Sequence, residues 1–511
     1  MPAGEFMVLL GVYLGNHDSN IAISIDGKVK YLKSERVTGV KHHKANFDYF
    51  KNVLASWKIK SIDAIAFTDG NRNGLGCCEH NQLFKQIIPL YENIPTFCID
   101  HHYSHILSAW PLVSSENVGV GIAIDGTGDN NIRMAVISNP GSLNPRYEYF
   151  TKRKGIGNLL VTIGSFANLG GNGLDYAGKI MGAQAYGTID YDFVRKINCS
   201  EILEHLLDFI SRIPWRGEVP LFTPKFFDFH NQSFLDWLST IHYVIECAVV
   251  ELFQKYCNRE QYIVYTGGCA QNSVYNEKLF QMYPNLIIPP HCYDGGQSLG
   301  CLEFLRIYYS QEPFSTNNFP YWQDDNEKEM PDEKTIHKVS ELLCSGKIVG
   351  WFQGRGEIGP RALGHRSILM DCRNKNAKNI INEKVKHREP WRPFAPSVIE
   401  SQANNWFYIN VPSPYMLRAV KSRENVQDII PSVVHRDGSS RIQTVAECDN
   451  IMDPFFMLLK EYYSLTGVPM LLNTSLNAGG GPIFGTRDQC IDFFKSIPMD
   501  AMCMGNELLI K

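Results

Sequence analysis

The segment HHYSH sets three imidazoles within five residues, at His101, His102 and His105. Asp100, just ahead, has the side chain of a helix N-cap, so a helix running from His101 towards Trp110 is predicted. His101 and His105 then share one helix face, while His102 points about 100° away. An i, i+4 histidine pair can grip a divalent metal, although a lone H-x-x-x-H is also compatible with two histidines satisfied by ordinary hydrogen bonds. Asp125, at the end of the following strand, and Asp294, in PPHCYDGGQSLG, add carboxylates at loops where strands open onto a cleft. Two imidazoles with carboxylates and no thiolate suit Fe(II), Mn(II) or Zn(II) with positions left open for substrate. No glutamate stands between the two histidines, which excludes the H-E-x-x-H pattern of zinc proteases.

A second grouping is cationic. GPRALGHRS supplies Arg361 and Arg366, KHREPWRP supplies Lys386, Arg388 and Arg392, and SRIQTV supplies Arg441. Asn473, Thr474 and Ser475 add neutral donors. Guanidinium groups match phosphate oxygens bidentately and lysine adds a point charge, so cations set among Gly, Pro and apolar residues point to phosphate binding. The alternative is a solvated basic face, to which arginines in a context such as PWRPFAP are poorly suited.

These side chains need elements to hold them. Met7 to Leu32 reads as a strand, the polar tip GNHDSN, and a further pair of strands joined at Asp26-Gly27. Val118 to Ser138 repeats the pattern around AIDGTGD. Two strand–tip–strand units, each followed by helical stretches, suggest a duplicated α/β fold whose tips face each other across a cleft; two unrelated hairpins would look the same. Ser239 to Cys257 has helical spacing, and the strand QYIVY then leads through Gly267 and Gly268 into a helix, an arrangement that lets backbone approach a nucleotide. Thr316 to Lys334 is acidic, holds two prolines and lacks periodicity, as expected of a linker. The division expected is 1–315, a linker at 316–334, and a second α/β domain over 335–511.

With 511 residues the chain exceeds a single core. A net charge of -4 and a pI near 6.4 argue against a polybasic nucleic-acid surface. The amino terminus has no basic segment of the secretory kind, no stretch has the apolar length expected of a bilayer span, and the fourteen cysteines contain no C-x-x-C pair. A cytoplasmic protein with no membrane and no nucleic-acid partner is expected, and a homodimer only on base rates.

Several stretches resemble one family in order along the chain, from about residue 9 to 485: GNHDSNIAISIDG, HHYSHILSAW, AIDGTGD, GKIMGAQAYG, GGCAQN, GRGEIGPRALGHRSILMDCRN, KHREPWRPFAPSV, SRIQTV and LLNTSLNAGGGPI. They look like the O-carbamoyltransferases of the NodU/CmcH/TobZ family. The resemblance implies an amino-terminal duplicated actin-like ATPase domain, similar to threonylcarbamoyl-transferase proteins, and a carboxy-terminal YrdC-like domain. It implies Fe(II) bound by His101, His105 and Asp294, with Asp125 completing or orienting the site, and His17 as general base near the acceptor hydroxyl. Lys179, Gly267, Gly268 and Asn272 would hold the nucleotide in that domain. Arg361, Lys386, Arg392, Arg441, Asn473 and Ser475 would bind carbamoyl phosphate and ATP with Mg(II). The acceptor implied is the hydroxyl of a small molecule or glycan, in a pocket shaped by residues 33–92 and 201–239, where Trp215 and Trp237 are candidates to stack on a ring. Two rivals are a tRNA threonylcarbamoyl-transfer enzyme, disfavoured by charge, and a non-catalytic actin-like nucleotide-binding regulator, which leaves the histidine pair and the cations without a role.

Overall fold

The computed structural model describes residues 7–69, 78, 82–89, 91–113, 119–150, 155–196, 228–324, 329–447 and 453–511. The protein is mixed α/β and divides into two units, Met1–Ser34 with His43–Asn317, and Glu35–His42 with Asn318–Lys511. The excursion Glu35–His42 therefore belongs to the second unit, which a split in sequence order at 315 does not anticipate. Part of the stretch that reads as a linker is also packed there: Tyr321 stacks on His365 with ring centroids 3.6 Å apart, and Trp322 is buried.

The first unit holds two sheets. One has β1 (Leu9–Tyr13), β2 (Asn20–Ile25), β3 (Lys28–Lys33), β4 (Ala64–Thr68), β5 (Phe84–Ile87) and β6 (Thr96–Ile99) in the order β3-β2-β1-β4-β6-β5. The other has β7 (Val120–Ile124), β8 (Met134–Ser138), β9 (Arg146–Phe150), β10 (Ile263–Thr266) and β11 (Leu286–Ile287) in the order β11-β10-β7-β8-β9. Each begins with a three-stranded antiparallel meander and adds two parallel strands on the far side of its first strand, the first sheet carrying a further antiparallel edge strand, β5. The two strand–tip–strand segments of the sequence are thus the first two strands of two sheets sharing one topology. β1 and β7 are buried throughout, as central strands covered on both faces must be.

Two helices carry the residues of interest. His101–Ala109 follows β6, capped by Asp100, whose side chain accepts from the backbone N–H groups of His102 and Tyr103. Gln297–Tyr308 packs against that helix and against β1. The approach is close: a Cβ at Gly300 would lie 1.8 Å from the carbonyl oxygen of Ser104.

Gln232–Tyr256, 25 residues, is long and apolar enough to cross a membrane by length and composition, contrary to the sequence expectation. Its apolar face is spent inside the first unit, where Phe253 meets Tyr265 and Tyr283 edge-on or tilted.

The second unit is built on eight strands, β12 (Val349–Phe352), β13 (Arg366–Met370), β14 (Ala395–Ile399), β15 (Arg418–Lys421), β16 (Ser439–Val445), β17 (Met470–Ser475), β18 (Ala501–Met504) and β19 (Glu507–Ile510), in the order β15-β16-β14-β17-β13-β12-β18-β19. Helices Glu333–Cys344 and Pro454–Thr466 pack together beside it and bury Val339, Leu343, Leu458 and Tyr462 in one apolar cluster with Trp351 and Leu471.

Replacing Gly300 with alanine drives a methyl group into the backbone of the histidine helix. A loss of about 1–3 kcal/mol is expected in denaturant unfolding, from overpacking against atoms that cannot yield.

Candidate functional site

The two polar tips and the two helices converge. His101 Nε2 lies 3.0 Å from Asp125 Oδ2 and 3.4 Å from Asp294 Oδ1; His105 Nε2 lies 3.3 and 3.2 Å from the same two oxygens. One donor atom from each residue falls within 4.8 Å of all the others. The imidazole planes stand at 88°, so their nitrogens meet at a point rather than stack. Asp125 follows β7 directly and is steered by the Gly268 N–H, which donates to its Oδ1 at 3.1 Å. Asp294 opens the turn into Gln297–Tyr308, with its backbone carbonyl accepting from Asn20 and its Oδ2 from the Tyr13 hydroxyl at 2.5 Å.

Burial alone would strip the histidines of protons, but the carboxylates of Asp294 and Asp125 outweigh it and raise both imidazole pKa values. Burial likewise opposes ionisation of Asp125 and Asp294, and the histidines overcome it, leaving both carboxylates well below the usual range. Without a cation, the carboxylates favour the protonated form of the imidazoles. The same atoms suit a divalent ion: two carboxylates balance its charge, two neutral imidazoles add nitrogen donors, and no thiolate joins them. His102 is different. Burial and the neighbouring His101 charge depress its pKa to about 3.

His17 stands at the edge of this cluster, Nδ1 3.6 Å from Asp294 Oδ2 and 2.9 Å from Asp18 Oδ2. Asp18 is held in turn by Lys33 Nζ at 2.7 Å, and Lys33 donates to the Tyr293 hydroxyl at 2.7 Å. Burial pulls the His17 pKa down, and the Asp18 hydrogen bond with the Asp294 charge lifts it above its ordinary value. Sequence reasoning missed Tyr13, Asp18, Lys33 and Tyr293. One signal existed: Val29, Tyr31 and Lys33 share a strand face by period two, and a lysine on the face that buries Val29 and Tyr31 is out of place.

The proposed nucleotide residues of this unit have local duties too. Lys179 Nζ donates to the Leu169 and Gly170 carbonyls at 3.1 and 3.2 Å. Gly267 has φ +87°, and a Cβ there would meet the Ile124 carbonyl at 2.2 Å, so glycine is what lets the turn close on β7. Asn272 caps Ser273–Met282 through Val274 N and approaches His242 Nε2 at 2.9 Å. Trp237 stacks on Phe234, and Trp215 lies outside the described residues.

In the second unit the cations separate into two kinds. Burial, then the charges of Arg361, Arg388 and Arg392, depress the pKa of Arg441, whose Nε is buried without a partner among the described residues. Burial and Arg392 bring Arg388 down to about 9, and burial with Arg388 and Arg392 lowers Lys386. Like charges gathered in this way, with Glu389 3.7 Å from Arg392, are the electrostatic shape of an anion site. Arg366 is apart from them: its guanidinium donates to the Gln353, Gly354 and His365 carbonyls and lies on the Phe352 ring. Lys386 holds the loop that follows β17, donating to Ser475 O at 2.5 Å and Asn477 Oδ1 at 2.6 Å. Asn473 is buried, with Nδ2 donating to Ala362 O and Ser397 Oγ and Oδ1 without a partner among the described residues.

A two-unit α/β protein with a His–His–Asp–Asp cluster in one unit and gathered arginines in the other is the class that fold and sites define. Family models described as "Carbamoyltransferase N-terminus" and "Carbamoyltransferase C-terminus" match residues 82–302 and 340–511. The chain belongs to this carbamoyltransferase family. "Nodulation protein NolNO" of Sinorhizobium fredii is 28% identical over 444 residues, covering 81% of this chain and 64% of that protein. "Nodulation protein U" of Rhizobium fredii is 37% identical over 228 residues, 43% of this chain and 38% of the relative. An uncharacterized protein of Methanocaldococcus jannaschii is 27% identical across 99% of this chain and 100% of its own length. Among solved structures, full-length HypF in its phosphate- and nucleotide-bound form aligns to 60% of this chain and 47% of HypF at 14% identity, with a TM-score of 0.34, below the level at which a shared fold follows.

A cation entering the cluster must displace the protons that the raised imidazoles retain. Anaerobic Fe(II) titration should therefore show affinity that falls with decreasing pH and levels off only above the ordinary histidine range. Gln297 Nε2 lies 3.2 Å from the His101 carbonyl and 3.3 Å from its ring nitrogens, so Gln297→Leu should weaken Fe(II) binding by about 10–100-fold.

Proposed function

We propose that this protein is an ATP-dependent O-carbamoyltransferase. Its first unit is read as a duplicated actin-like domain and its second as YrdC-like. The observation that carries the proposal is the meeting of His101, His105, Asp125 and Asp294 beside His17, in a chain of the carbamoyltransferase family.

In the second unit water displaces phosphate from carbamoyl phosphate, releasing inorganic phosphate and carbamate, and a carbamate oxygen then attacks the α-phosphorus of ATP with Mg(II). A P–O bond forms, pyrophosphate leaves, and carbamoyl-adenylate remains. Arg361, Arg388, Arg392 and Arg441 are assigned to offset charge developing on phosphate oxygens, and the charges of the other three acting on Arg441 support that reading. Lys386 acts by fixing the Ser475–Asn477 loop, and Asn473 and Ser475 are assigned to the same site.

In the first unit a hydroxyl of a small molecule or glycan attacks the carbamoyl carbon. The bond to AMP breaks and a carbamate ester forms. His17 takes the hydroxyl proton; Asp18 orients its ring through Nδ1, and Lys33 holds Asp18 in turn. His101, His105, Asp125 and Asp294 would hold Fe(II), which when bound supplies Lewis-acid polarisation of the carbamoyl carbonyl. Lys179, Gly267, Gly268 and Asn272 are assigned to the nucleotide portion.

The two stages can be separated experimentally. ATP–pyrophosphate exchange dependent on carbamoyl phosphate is expected of the whole chain and should be lost in Arg441→Ala. His101→Ala should abolish carbamoyl transfer while leaving that exchange within about threefold of the parent; nucleotide binding without any exchange would instead support the regulator.

A further inference from the structure

We propose that Arg36, which lies in the amino-terminal part of the sequence, is a positioning residue for the arginine cluster of the second unit. It fixes the loop that presents Arg361. The proposal rests on the reading of that cluster as a phosphate site.

Arg36 belongs to the excursion Glu35–His42, which groups with the second unit. Its side chain is buried, and Nη2 donates to the carbonyls of Glu357 and Gly359, each at 3.0 Å. Gly359 is two residues before Arg361, with Pro360 between them stiffening the chain. The other side of the same loop is clamped from within. Glu357 Oε1 accepts from Leu363 N at 2.5 Å and Arg366 N at 3.4 Å. The segment from Pro360 to Ala362 is therefore bracketed, by Arg36 before it and Glu357 across it.

The arrangement is costly as a stabilising device. Arg36 Nη1 and Glu357 Oε2 are both buried with no hydrogen-bond partner among the described residues, and an unmet polar atom in the interior opposes folding. An apolar side chain of similar volume would fill the space without that cost but could not grip two carbonyls. The packing admits little latitude, because a Cβ at Gly485 would lie 2.5 Å from the Arg36 carbonyl oxygen. A guanidinium held by the Glu357 and Gly359 carbonyls of one loop constrains where Arg361, two residues on, leaves the backbone. Arg361 is among the charges acting on Arg441, so its placement sets the geometry that an anion would meet.

The test uses full-length protein and inorganic pyrophosphate, with binding read by calorimetry and Fe(II) stoichiometry read anaerobically on the same preparations. The parent protein should bind pyrophosphate and Arg441→Ala should not. Arg36→Gln should bind about 10-fold or more weakly, and Arg36→Lys, which can still donate to one carbonyl, should fall between them; all four should keep full Fe(II) stoichiometry. Parental affinity in Arg36→Gln, alongside loss in Arg441→Ala, overturns the role of Arg36 and leaves the phosphate site standing. No pyrophosphate binding by the parent overturns the phosphate site and this inference with it. Loss of pyrophosphate and Fe(II) together in both Arg36 variants would mean that the residue serves only the fold.

Discussion

Burying two carboxylates and two imidazoles at one point is the constraint on which the first unit depends. Each charged group withdrawn from water costs several kcal/mol unless partners compensate it (about that order for real interiors). Asp125 and Asp294 are compensated chiefly because His101 and His105 come from a different element and reach the same place. A helix, the end of a strand and the turn entering a second helix must therefore agree to within a fraction of an ångström. Asp100 sets the start of the histidine helix, Gly300 lets the second helix lie against it, and Gly268 aims Asp125. Protons can satisfy the cluster, and so can a divalent cation.

The second unit presents the opposite electrostatic problem. Burial first, and then the neighbouring like charges, depress the pKa values of Arg388 and Arg441, an environment that a bound anion would relieve. Placing a cation-seeking cluster and an anion-seeking cluster in one chain fits chemistry in which a phosphorylated donor is activated and its acyl group passed on. Under the two-stage reaction proposed above, a hydrolysable adenylate made and used by one molecule would be exposed to water for less time.

Much of this was legible in the sequence, and what was not has physical causes. The i, i+4 spacing of His101 and His105 and the Asp-rich strand ends announced the cluster, because helix period and strand termini are local properties. The repeated strand–tip–strand pattern announced two like sheets for the same reason. Lys33, Tyr13 and Tyr293 were hidden because their roles arise from contacts between strands and turns more than 250 residues apart in the chain, such as Tyr13 with Asp294. Arg366 and Lys386 look like any other cation in a motif; only burial and carbonyl partners show one bracing a strand end and the other a loop. The excursion Glu35–His42 was illegible because composition says nothing about which core a short segment joins. Gln232–Tyr256 was underestimated as an apolar span since its polar residues are spread along its length rather than concentrated.

The central claim is that the four side chains of the first unit form a ferrous site. X-ray absorption at the iron edge, on protein loaded with one equivalent of Fe(II) under anaerobic conditions, tests it most directly. The account predicts a first shell of nitrogen and oxygen only, with the outer-shell scattering of two imidazoles, reduced to one in His105→Ala. Sulfur in the first shell, or a spectrum without imidazole scattering that His105→Ala leaves unchanged, would contradict it.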